Sequence, residues 1–456
     1  MKYTSTRNDQ IEFEFKDVFI KGLADDGGLY VPKNIKKFNS LELLDLKDLN
    51  YLQLSTEIIN IFTGNFISKE NISYLVSKSY SSFREKDVVK ISSIGDLKLL
   101  ELFHGPTLAF KDIAMQFIGN LYEYYLSKNK IKINIVVATS GDTGAAAIDA
   151  IKGKSNLNIF VLHPNNRISS VQRKLMTTVD EENVFNIAID GNFDDCQNIV
   201  KSMFSDLEFS KSINMSGVNS INWARIVAQS VYYFYAYFKL NTDKPISFSV
   251  PTGNFGDVFA GYLAKKMGLP INKLIVATNE NDILHRAISK GDYTSKEVKE
   301  TLSPSMDIQL ASNFERLIYY INNSDTLKTA DIMKKIKKNS YQIEKNNLEN
   351  IKKDLLSESC NKQETIEIIK KIYEENGVIL DPHTATGVSA ANKLSFNDCV
   401  VLSTAHPCKF PDAIKVSINK HEKLPEKLQH ILDQEEKFTL LKNNAEEVKE
   451  FIKSKV

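Results

Sequence analysis

From residue 96 onward, short runs of apolar residues alternate with longer segments in which apolar residues recur at helical spacing. Several of the short runs are apolar throughout, which is typical of strands that helices cover on both faces. This alternation predicts an α/β fold with a largely parallel sheet, or with two such sheets. The predicted strands are residues 97–103, 133–139, 158–163, 184–190, 246–250, 274–278 and 399–404, and the clearest helices between them are residues 107–126, 145–151, 222–238 and 258–267.

The N-terminal part of the chain has a different pattern. Residues 22–32 (GLADDGGLYVP) contain three glycines and a proline, which predicts a turn-rich stretch. Apolar residues at three- and four-residue steps then predict helices around residues 41–62 and 69–83, and residues 301–376 are also mostly helical in pattern. We therefore predict a mainly helical N-terminal unit, a central α/β region and a short helical tail, at residues 1–90, 91–420 and 421–456.

The composition argues against several classes of partner. Lysine and arginine number 58, aspartate and glutamate number 57, and the formal net charge is +1. This balance gives no support for nucleic acid or an anionic membrane as the main partner, so an anionic ligand must be met by a few locally placed donors. The apolar run at residues 231–238 is far shorter than the roughly 20 residues that cross a bilayer. The N-terminus lacks the apolar core of a secretory signal.

The cysteines bear on the cellular compartment and on metal binding. Four cysteines in 456 residues are too few for a disulfide scaffold, which suits a reducing compartment. No two of them form a C-x-x-C pair, and no histidine repeats at short spacing beside them, so we expect no structural zinc site. We predict a soluble, cytoplasmic protein that holds no metal.

Polar loops follow four of the predicted strands. Ligands of open parallel sheets bind beyond the carboxyl ends of the strands, so we expect these loops to meet at a binding site. Each loop contains glycine or proline, and together the loops contain the candidate chemistry. They are residues 104–112 (HGPTLAFKD), 140–144 (SGDTG), 251–257 (PTGNFGD) and 405–407 (AHP).

The loop at residues 253–256 (GNFG) follows an apolar strand and opens a helix. Its two glycines let backbone amides converge, and the N-terminus of a helix favours an anion, so the loop indicates a phosphate site. A simple tight turn is the alternative. The loop has neither the Gly-Lys-Ser/Thr ending of a P-loop nor the G-x-G-x-x-G pattern of dinucleotide-binding proteins.

Lys111 lies near the start of a predicted helix, next to Phe110 and among apolar residues. Burial and the positive end of the helix both make its ammonium group easier to deprotonate. An amine of this kind is what a Schiff base with a carbonyl compound requires. The alternative is an exposed lysine that pairs with Asp112.

Two further segments offer groups for an anionic substrate. Residues 140–144 place hydroxyls and backbone amides at a helix start, which suits a carboxylate or phosphate, although an ordinary helix cap has the same pattern. Residues 219–225 (NSINWAR) place Asn222 and Arg225 three positions apart on one helix face. Arg225 would clamp an anion through two hydrogen bonds there, or would form a structural ion pair.

Taken together, these loops resemble the threonine synthase family of pyridoxal-phosphate enzymes, which has the tryptophan-synthase-β-like fold called fold type II. The order of the motifs carries the similarity, since each motif alone is weak. The resemblance extends from about residue 1 to about residue 420. It implies two parallel-sheet α/β lobes with the cofactor between them, and an N-terminal helical cap domain. The matching stretches are GLADDGGLYVP (22–32), HGPTLAFKD (104–112), ATSGDTG (138–144), NSINWARI (219–226), VPTGNFGD (250–257) and LSTAHPCKFPDA (402–413).

The resemblance also implies roles for individual residues. Lys111 would carry pyridoxal 5'-phosphate as a Schiff base, and Thr404 would face the pyridine nitrogen. The phosphate region of the cofactor would be held by Gly253, Asn254, Phe255, Gly256 and Asp257. The substrate would be contacted by Ser140, Asp142, Thr143, Asn222 and Arg225.

The implied reaction converts O-phospho-L-homoserine and water to L-threonine and phosphate, by γ-elimination of phosphate and β-addition of water. Such a site must hold two phosphates, one on the cofactor and one on the substrate. A serine/threonine dehydratase on the same fold needs no second phosphate site. A catalytically silent relative would bind a ligand without turnover, but the presence of Lys111 and Thr404 argues against it. We expect a small-molecule substrate and a monomer or homodimer.

Overall fold

The computed structural model describes residues 1–217, 220–338 and 340–456. The N-terminal unit combines a small antiparallel sheet with short helices. Its elements are β1 (Tyr3–Ser5), β2 (Asn8–Phe13), α1 (Phe15–Lys21), β3 (Tyr30–Pro32), α2 (Ser40–Lys47), α3 (Tyr51–Thr63) and α4 (Lys69–Tyr80), and the strand order is β2-β1-β3.

The sequence predicted the helical part of this unit but not its sheet. β1 and β3 have three residues each and are wholly buried, so they show no alternating pattern, and β2 is mostly exposed. The single helix predicted at residues 41–62 is in fact α2 and α3. The chain breaks there because Asn50 caps α3, where its side chain accepts a hydrogen bond from the backbone N–H of Gln53.

The rest of the chain alternates strands and helices, as the sequence predicted. It continues with β4 (Lys90–Ile94), β5 (Leu97–Glu101), α5 (Lys111–Asn129), β6 (Ile133–Ala138), α6 (Asp142–Ile151), β7 (Leu157–Pro164), α7 (Ser170–Thr177), β8 (Val184–Asp190), α8 (Phe193–Ser205), α9 (Leu207–Ser212), β9 (Met215–Ser216) and α10 (Trp223–Leu240). The second half forms β10 (Ile246–Pro251), α11 (Gly256–Lys266), β11 (Ile271–Thr278), α12 (Ile283–Lys290), α13 (Phe314–Ile321), α14 (Thr326–Ile336), α15 (Lys345–Asp354), β12 (Leu355–Ser359), α16 (Lys362–Asn376), α17 (Pro382–Lys393), β13 (Val400–Ser403), α18 (Pro411–Ile418), β14 (Thr439–Lys442) and α19 (Ala445–Lys453). Short 3-10 helices lie at Pro304–Met306, Pro407–Lys409 and Glu426–Leu432.

These strands form two sheets, in agreement with the predicted two-lobed α/β fold. The order in the first sheet is β12-β11-β10-β13-β5-β4, and only the edge pair β4–β5 in it is antiparallel. The order in the second sheet is β14-β8-β7-β6-β9, and all its neighbours are parallel. The loops that follow β5, β6, β10 and β13 are the four that the sequence singled out.

The C-terminal tail contains the helical segments Glu426–Leu432 and α19, and also a strand that the sequence did not predict. β14 pairs in parallel with β8 and thereby completes the second sheet, and α19 packs against α8. The sequence missed β14 because it is a four-residue edge strand whose positions are exposed or only partly buried. β12, inside the segment predicted as helical, was missed for a similar reason, since its sequence LLSES is half polar. The domain division at residues 90 and 420 stays a prediction.

Helix α10 lies at the centre of the molecule. Its residues from Trp223 to Ala236 are all buried, as is typical of a helix that is surrounded by protein on every side. It packs against α3 of the N-terminal unit and against α5 and α11, which both begin at candidate site loops. Within the described ranges, no helix has the length and apolar character needed to cross a membrane.

Candidate active site

Lys111 is the first residue of α5 and is 7% exposed. Its Nζ lies 5.2 Å from the centre of the Phe110 ring and donates hydrogen bonds to Asp142 Oδ2 at 3.1 Å and to Ser305 Oγ at 3.3 Å. It does not pair with Asp112. The Asp112 carboxylate instead accepts hydrogen bonds from the backbone N–H and the hydroxyl of Thr107, which holds the loop before α5 in place.

The surroundings of Lys111 lower the pKa of its amine. Burial is the largest cause, because it disfavours the charged form. Asp142 acts in the opposite direction, while the positive charges of Lys409 and Arg225 lower the pKa further. These surroundings therefore make the amine of Lys111 easier to deprotonate, which is what a Schiff-base lysine requires.

Asp142 binds protein side chains on both carboxylate oxygens. Besides Lys111 it contacts Lys409 Nζ at 2.6 Å, and it accepts hydrogen bonds from Gln172 Nε2 at 2.9 Å and Ser305 Oγ at 3.2 Å. Burial alone would raise the pKa of Asp142, but the charges of Lys111 and Lys409 hold it well below the usual range. The carboxylate of Asp142 is thus the shared partner of two lysines, and the substrate contact that the sequence predicted for it stays a prediction.

The neighbouring residues Ser140 and Thr143 are half-buried. Within the described ranges their hydroxyls form no hydrogen bond, so both are available to a ligand. The backbone N–H groups of Gly141 and Gly144 are already used, since both donate to Thr139 Oγ1 at 2.9 Å. The side chains of this loop are therefore better placed to bind an anion than those two amides.

The loop between β10 and α11 has the form of an anion site. No described residue accepts a hydrogen bond from the backbone N–H groups of residues 253–257. Phe255 has a left-handed backbone (φ 64°) and precedes α11, while its buried ring packs edge-on against Phe314. The backbone oxygen of Asn254 is fixed by the N–H and side-chain amide of Asn313, both at 3.1 Å. Free amides at a helix start are a suitable cradle for phosphate.

The side chain of Asp257 does not join this cradle. Its Oδ1 accepts hydrogen bonds from Tyr232 at 2.5 Å and Tyr233 at 3.0 Å, and its Oδ2 is buried without a partner among the described residues. Burial raises the pKa of Asp257 to about 6. A carboxylate would repel a phosphate, so only the backbone N–H of Asp257 suits the predicted role.

Thr404 lies at the end of β13, beside the start of α5. Its carbonyl accepts a hydrogen bond from the backbone N–H of Phe110 at 2.8 Å, and its own N–H donates to Thr384 Oγ1 at 3.3 Å. Its hydroxyl has no hydrogen-bond partner within the described ranges, although the residue is 5% exposed. This hydroxyl is therefore free to bond a ligand next to Lys111.

Asn222 and Arg225 have different environments, although the sequence grouped them. Asn222 caps α10 through Ala224 N at 3.1 Å and donates to Phe19 O at 2.9 Å, which ties α10 to the N-terminal unit. Both polar atoms of this side chain are therefore bound within the protein, and the predicted substrate contact of Asn222 stays a prediction. Asn219 of the same motif lies outside the described residues.

The guanidinium of Arg225 is 5% exposed, and in the described part of the chain it forms neither a hydrogen bond nor an ion pair. The alternative of a structural ion pair is thus not what the structure shows. Burial lowers the pKa of Arg225 to about 10, against the opposing influence of Tyr232 and Asp257. A buried cation of this kind favours an anionic ligand.

Four residues that the sequence analysis did not single out complete the site. His383, near the start of α17, bonds Asp381 Oδ1 through Nδ1 at 2.9 Å and accepts the backbone N–H of Ser305 through Nε2 at 3.3 Å. Ser305, Gln172 and Lys409 all surround Asp142. Lys409 lies within the stretch 402–413 that resembles the family, and this was the feature of the sequence that could have indicated it as a site residue. Ser305 and Gln172 lie in segments that show no motif.

Models of known families match three successive parts of this chain. The model "Threonine synthase N terminus" matches residues 2–80, "Pyridoxal-phosphate dependent enzyme" matches residues 97–404, and "Threonine synthase, C-terminal" matches residues 384–452. A threonine synthase from Pseudomonas aeruginosa is 43% identical over 459 residues, which cover 99% of this chain and 98% of the relative. The chain belongs to the threonine synthase family.

Other members of the family agree with this assignment. The threonine synthase of Saccharomyces cerevisiae is 44% identical, with 94% of this chain and 93% of the relative covered. A crystal structure of PLP-bound threonine synthase from Brucella melitensis superposes with a TM-score of 0.97 at 43% identity, over 100% of this chain and 99% of the other. The comparisons confirm the resemblance, the fold class and the membership among pyridoxal-phosphate-dependent enzymes that the sequence predicted.

The residues present fit that cofactor. Lys111 provides a buried amine with a lowered pKa, and the free amides of residues 253–257 provide a phosphate cradle. Gly253 has no room for a side chain, because a Cβ there would lie 2.6 Å from the backbone oxygen of Ser305. The free hydroxyl of Thr404 completes the set.

Proposed function

We propose that this protein is a threonine synthase that converts O-phospho-L-homoserine and water to L-threonine and phosphate, the last step of threonine biosynthesis. The full-length similarity to threonine synthases supports this activity. The single structural observation that carries it is the buried Lys111 amine, held near unpaired phosphate-loop amides and an unpaired Arg225.

In this proposal the cofactor is held at three points. Lys111 Nζ attaches it, the backbone amides of residues 253–257 bind its phosphate, and the Thr404 hydroxyl meets its ring nitrogen. The left-handed backbone of Phe255 and the adjacent Gly256 shape the loop that presents these amides. Asn313 holds the loop in place through the backbone oxygen of Asn254. The bound cofactor supplies an electron sink for charge that develops on the substrate.

Lys111 is also the proposed acid and base. Its Nζ would take the proton from Cα of the substrate and deliver protons later in the reaction. A base works best when its pKa is near the working pH, and the burial of Lys111 moves its pKa in that direction. Asp142 and Ser305 orient the amine through their hydrogen bonds to Nζ.

We propose that the phosphate of the substrate binds Arg225 together with the hydroxyls of Ser140 and Thr143. Arg225 contributes a full positive charge that no described protein group neutralises by a direct ion pair. A dehydratase would have no use for this cation, since its substrate carries no phosphate. The unpaired state of Arg225 therefore supports a phosphorylated substrate over the dehydratase alternative.

The cellular setting is part of the same proposal. The protein would act in the cytoplasm on a small molecule, as a monomer or homodimer, without nucleic acid or membrane as partner. The four cysteines are all free and buried, which is consistent with a reducing compartment. The division into residues 1–90, 91–420 and 421–456 is likewise proposed.

A direct assay tests the activity. Purified protein loaded with pyridoxal phosphate is incubated with O-phospho-L-homoserine, and threonine and inorganic phosphate are measured together. We expect the two products in equal amounts. Parallel incubations with L-serine and L-threonine, followed for 2-oxo acid, test the dehydratase. Oxo acid without threonine formation would replace the proposed activity with the dehydratase, and bound cofactor without any product would indicate the silent relative.

A further inference from the structure

Two buried lysines share one carboxylate at this site. Lys111 Nζ donates to Asp142 Oδ2 at 3.1 Å, and Lys409 Nζ lies 2.6 Å from Asp142 Oδ1. The Lys409 side chain is 0% exposed, and its ammonium also donates to the backbone oxygen of Thr107 at 2.7 Å. The proposed reaction assigns Lys409 no task, yet a fully buried lysine is costly unless it is paired.

The charges around Lys111 show what Lys409 contributes. With Asp142 ionised and both lysines protonated, the three groups carry one net positive charge. Arg225 adds to the positive field at Lys111, and His383, bonded to Asp381, reaches this cluster through Ser305. When Lys111 loses its proton, Asp142 and Lys409 remain as a neutral pair. Without Lys409, a lone buried carboxylate would keep the proton on Lys111.

Lys409 is held rigidly enough to act in this way. It ends the 3-10 helix Pro407–Lys409, and its backbone oxygen accepts a hydrogen bond from Ser169 Oγ at 2.9 Å. Ser169 caps α7, which also carries Gln172 to Asp142. Asp142 therefore has two partners, Lys409 and Gln172, whose contacts with it do not involve Lys111.

We propose that Lys409 is a positioning residue that serves as the permanent counter-ion of Asp142, so that Lys111 works as an uncharged amine while it remains in contact with that carboxylate. This inference rests on the proposed role of Lys111 as the cofactor-binding lysine. It does not depend on the identity of the substrate.

The test compares Lys409→Met, Lys409→Gln and Lys409→Arg in the full-length holoenzyme. The first readout is the pH midpoint of the visible absorbance change of bound pyridoxal phosphate, which reports the proton on the nitrogen that Lys111 supplies. Met and Gln should raise this midpoint by about one to two pH units, because each removes a nearby positive charge. Lys409→Gln retains a hydrogen-bond donor without the charge, and so separates the effect of the charge from that of the hydrogen bond. Lys409→Arg retains the charge and should keep the midpoint close to that of the wild type.

A second readout needs no activity and no cofactor. The full-length protein without cofactor is treated with an amine-selective acylating reagent, and mass spectrometry measures the rate at Lys111. The Met and Gln variants should react roughly ten- to a hundredfold more slowly near neutral pH, because one pKa unit changes the free amine about tenfold. The matched control is Lys154→Met, which removes a mostly buried lysine paired with Glu123 and should change neither readout.

Each outcome decides the proposal. An unchanged midpoint and an unchanged Lys111 rate in folded Lys409→Met and Lys409→Gln would overturn it. If both uncharged variants fail to fold by circular dichroism while Lys409→Arg folds, the ion pair is purely structural and the proposal is likewise rejected. A wild-type protein that binds pyridoxal phosphate but forms no threonine would contradict the proposed function and leave this test intact.

Discussion

Arg225 shows how one side chain can indicate a ligand. A buried guanidinium gives up hydration, and neighbouring groups normally replace it with ion pairs or hydrogen bonds. In the described part of the chain Arg225 receives neither, although Asp257 and Tyr232 exert a weaker electrostatic influence. An anionic substrate group would supply what the protein does not.

Substitution of Arg225 by alanine tests this argument. A charge-assisted contact contributes roughly 1.5–3 kcal/mol, so kcat/KM for O-phospho-L-homoserine should fall by about ten- to a hundredfold. Binding of pyridoxal phosphate, followed by its absorbance, should stay unchanged because the amides of residues 253–257 are intact. A loss in kcat/KM of less than about twofold would show that Arg225 does not bind the substrate phosphate.

Thr404 sets a second expectation at the residue scale. Its hydroxyl can donate to a neutral ring nitrogen, whereas a carboxylate at that place would raise the nitrogen pKa by roughly 1–3 units. A protonated ring accepts more charge from the substrate, which favours protonation of the cofactor and transamination. Thr404→Asp should therefore lower threonine formation and raise the fraction of cofactor converted to pyridoxamine phosphate. An unchanged ratio of the two products, with cofactor still bound, would rule out this control by Thr404.

Single residues were predictable where the local sequence sets their environment. Lys111 stood out because it lies at a helix start among apolar neighbours, and of the two environments that this pattern allows the structure shows the buried one. The directions of side chains were not predictable in the same way. Asp257 points to Tyr232 and Tyr233, which lie on another helix, and Asp142 meets Lys409, which is far away in the chain. Such partners depend on the packing of whole elements.

At the scale of elements, the loop at residues 253–257 is packed against the segment at residues 304–306, called the crossing segment below. In the 3-10 helix Pro304–Met306, the backbone oxygen of Ser305 lies 2.6 Å from the position that a Cβ on Gly253 would take. The hydroxyl of the same residue accepts a hydrogen bond from Lys111 and donates one to Asp142. This segment is anchored by Asp307, whose carboxylate accepts hydrogen bonds from Thr301 and from the amides of Asn279 and Asn281. The crossing segment thus contacts both Gly253 of the proposed phosphate loop and Lys111, the proposed attachment point of the cofactor.

Gly253→Ala should disturb this arrangement. The new methyl group would lie 2.6 Å from the Ser305 oxygen, so the loop or the crossing segment must shift. We expect the dissociation constant of pyridoxal phosphate, measured by fluorescence titration, to rise at least about tenfold, which corresponds to roughly 1.4 kcal/mol. Gly256→Ala is the matched control, because its Cβ would come no closer than 3.3 Å to any neighbour, and that neighbour is a side-chain amide, so its effect should be clearly smaller. Equal effects would contradict the steric account.

The element pattern was readable from the sequence where burial is complete. The central strands β7 and β13 are buried along their whole length and β10 at all but its first residue, so their apolar runs were unambiguous. The edge strands β12 and β14 were not readable, because each is short, neither is fully buried, and both sequences mix polar with apolar residues. The four site loops could be predicted because each follows a strand that has neighbours on both sides in its sheet.

At the scale of the whole molecule, the N-terminal unit is connected to the phosphate loop through α13. Glu315 accepts hydrogen bonds from Thr6 Oγ1 at 2.5 Å and from Arg7 at 2.7 Å and 2.9 Å. The next residue, Arg316, is fully buried and donates to Tyr30 O at 3.1 Å and to the side chain of Asn313. Asn313 in turn fixes Asn254. A chain of hydrogen bonds therefore connects the N-terminal unit to the phosphate loop.

Glu315→Ala measures the strength of this connection. It leaves the mostly buried Arg7 and the hydroxyl of Thr6 without their partner, so the free energy of unfolding should fall by about 2–4 kcal/mol in urea titrations. Lys21→Ala provides the comparison, since it breaks an exposed pair with Asp25 and should cost less than about 1 kcal/mol. Equal losses for the two variants would mean that the α13 contact does not hold the unit in place.

The central claim is that Lys111 is the amine that carries the cofactor. Lys409 contacts the same carboxylate and is the nearest alternative amine, so a direct test must distinguish the two lysines. The holoenzyme is reduced with borohydride and digested, and the peptides are analysed by mass spectrometry. We predict the mass of reduced pyridoxal phosphate on Lys111 and an unmodified Lys409, and Lys111→Ala should fold but form no reducible adduct. An adduct on Lys409, or one that persists in the Lys111→Ala variant, would contradict the claim.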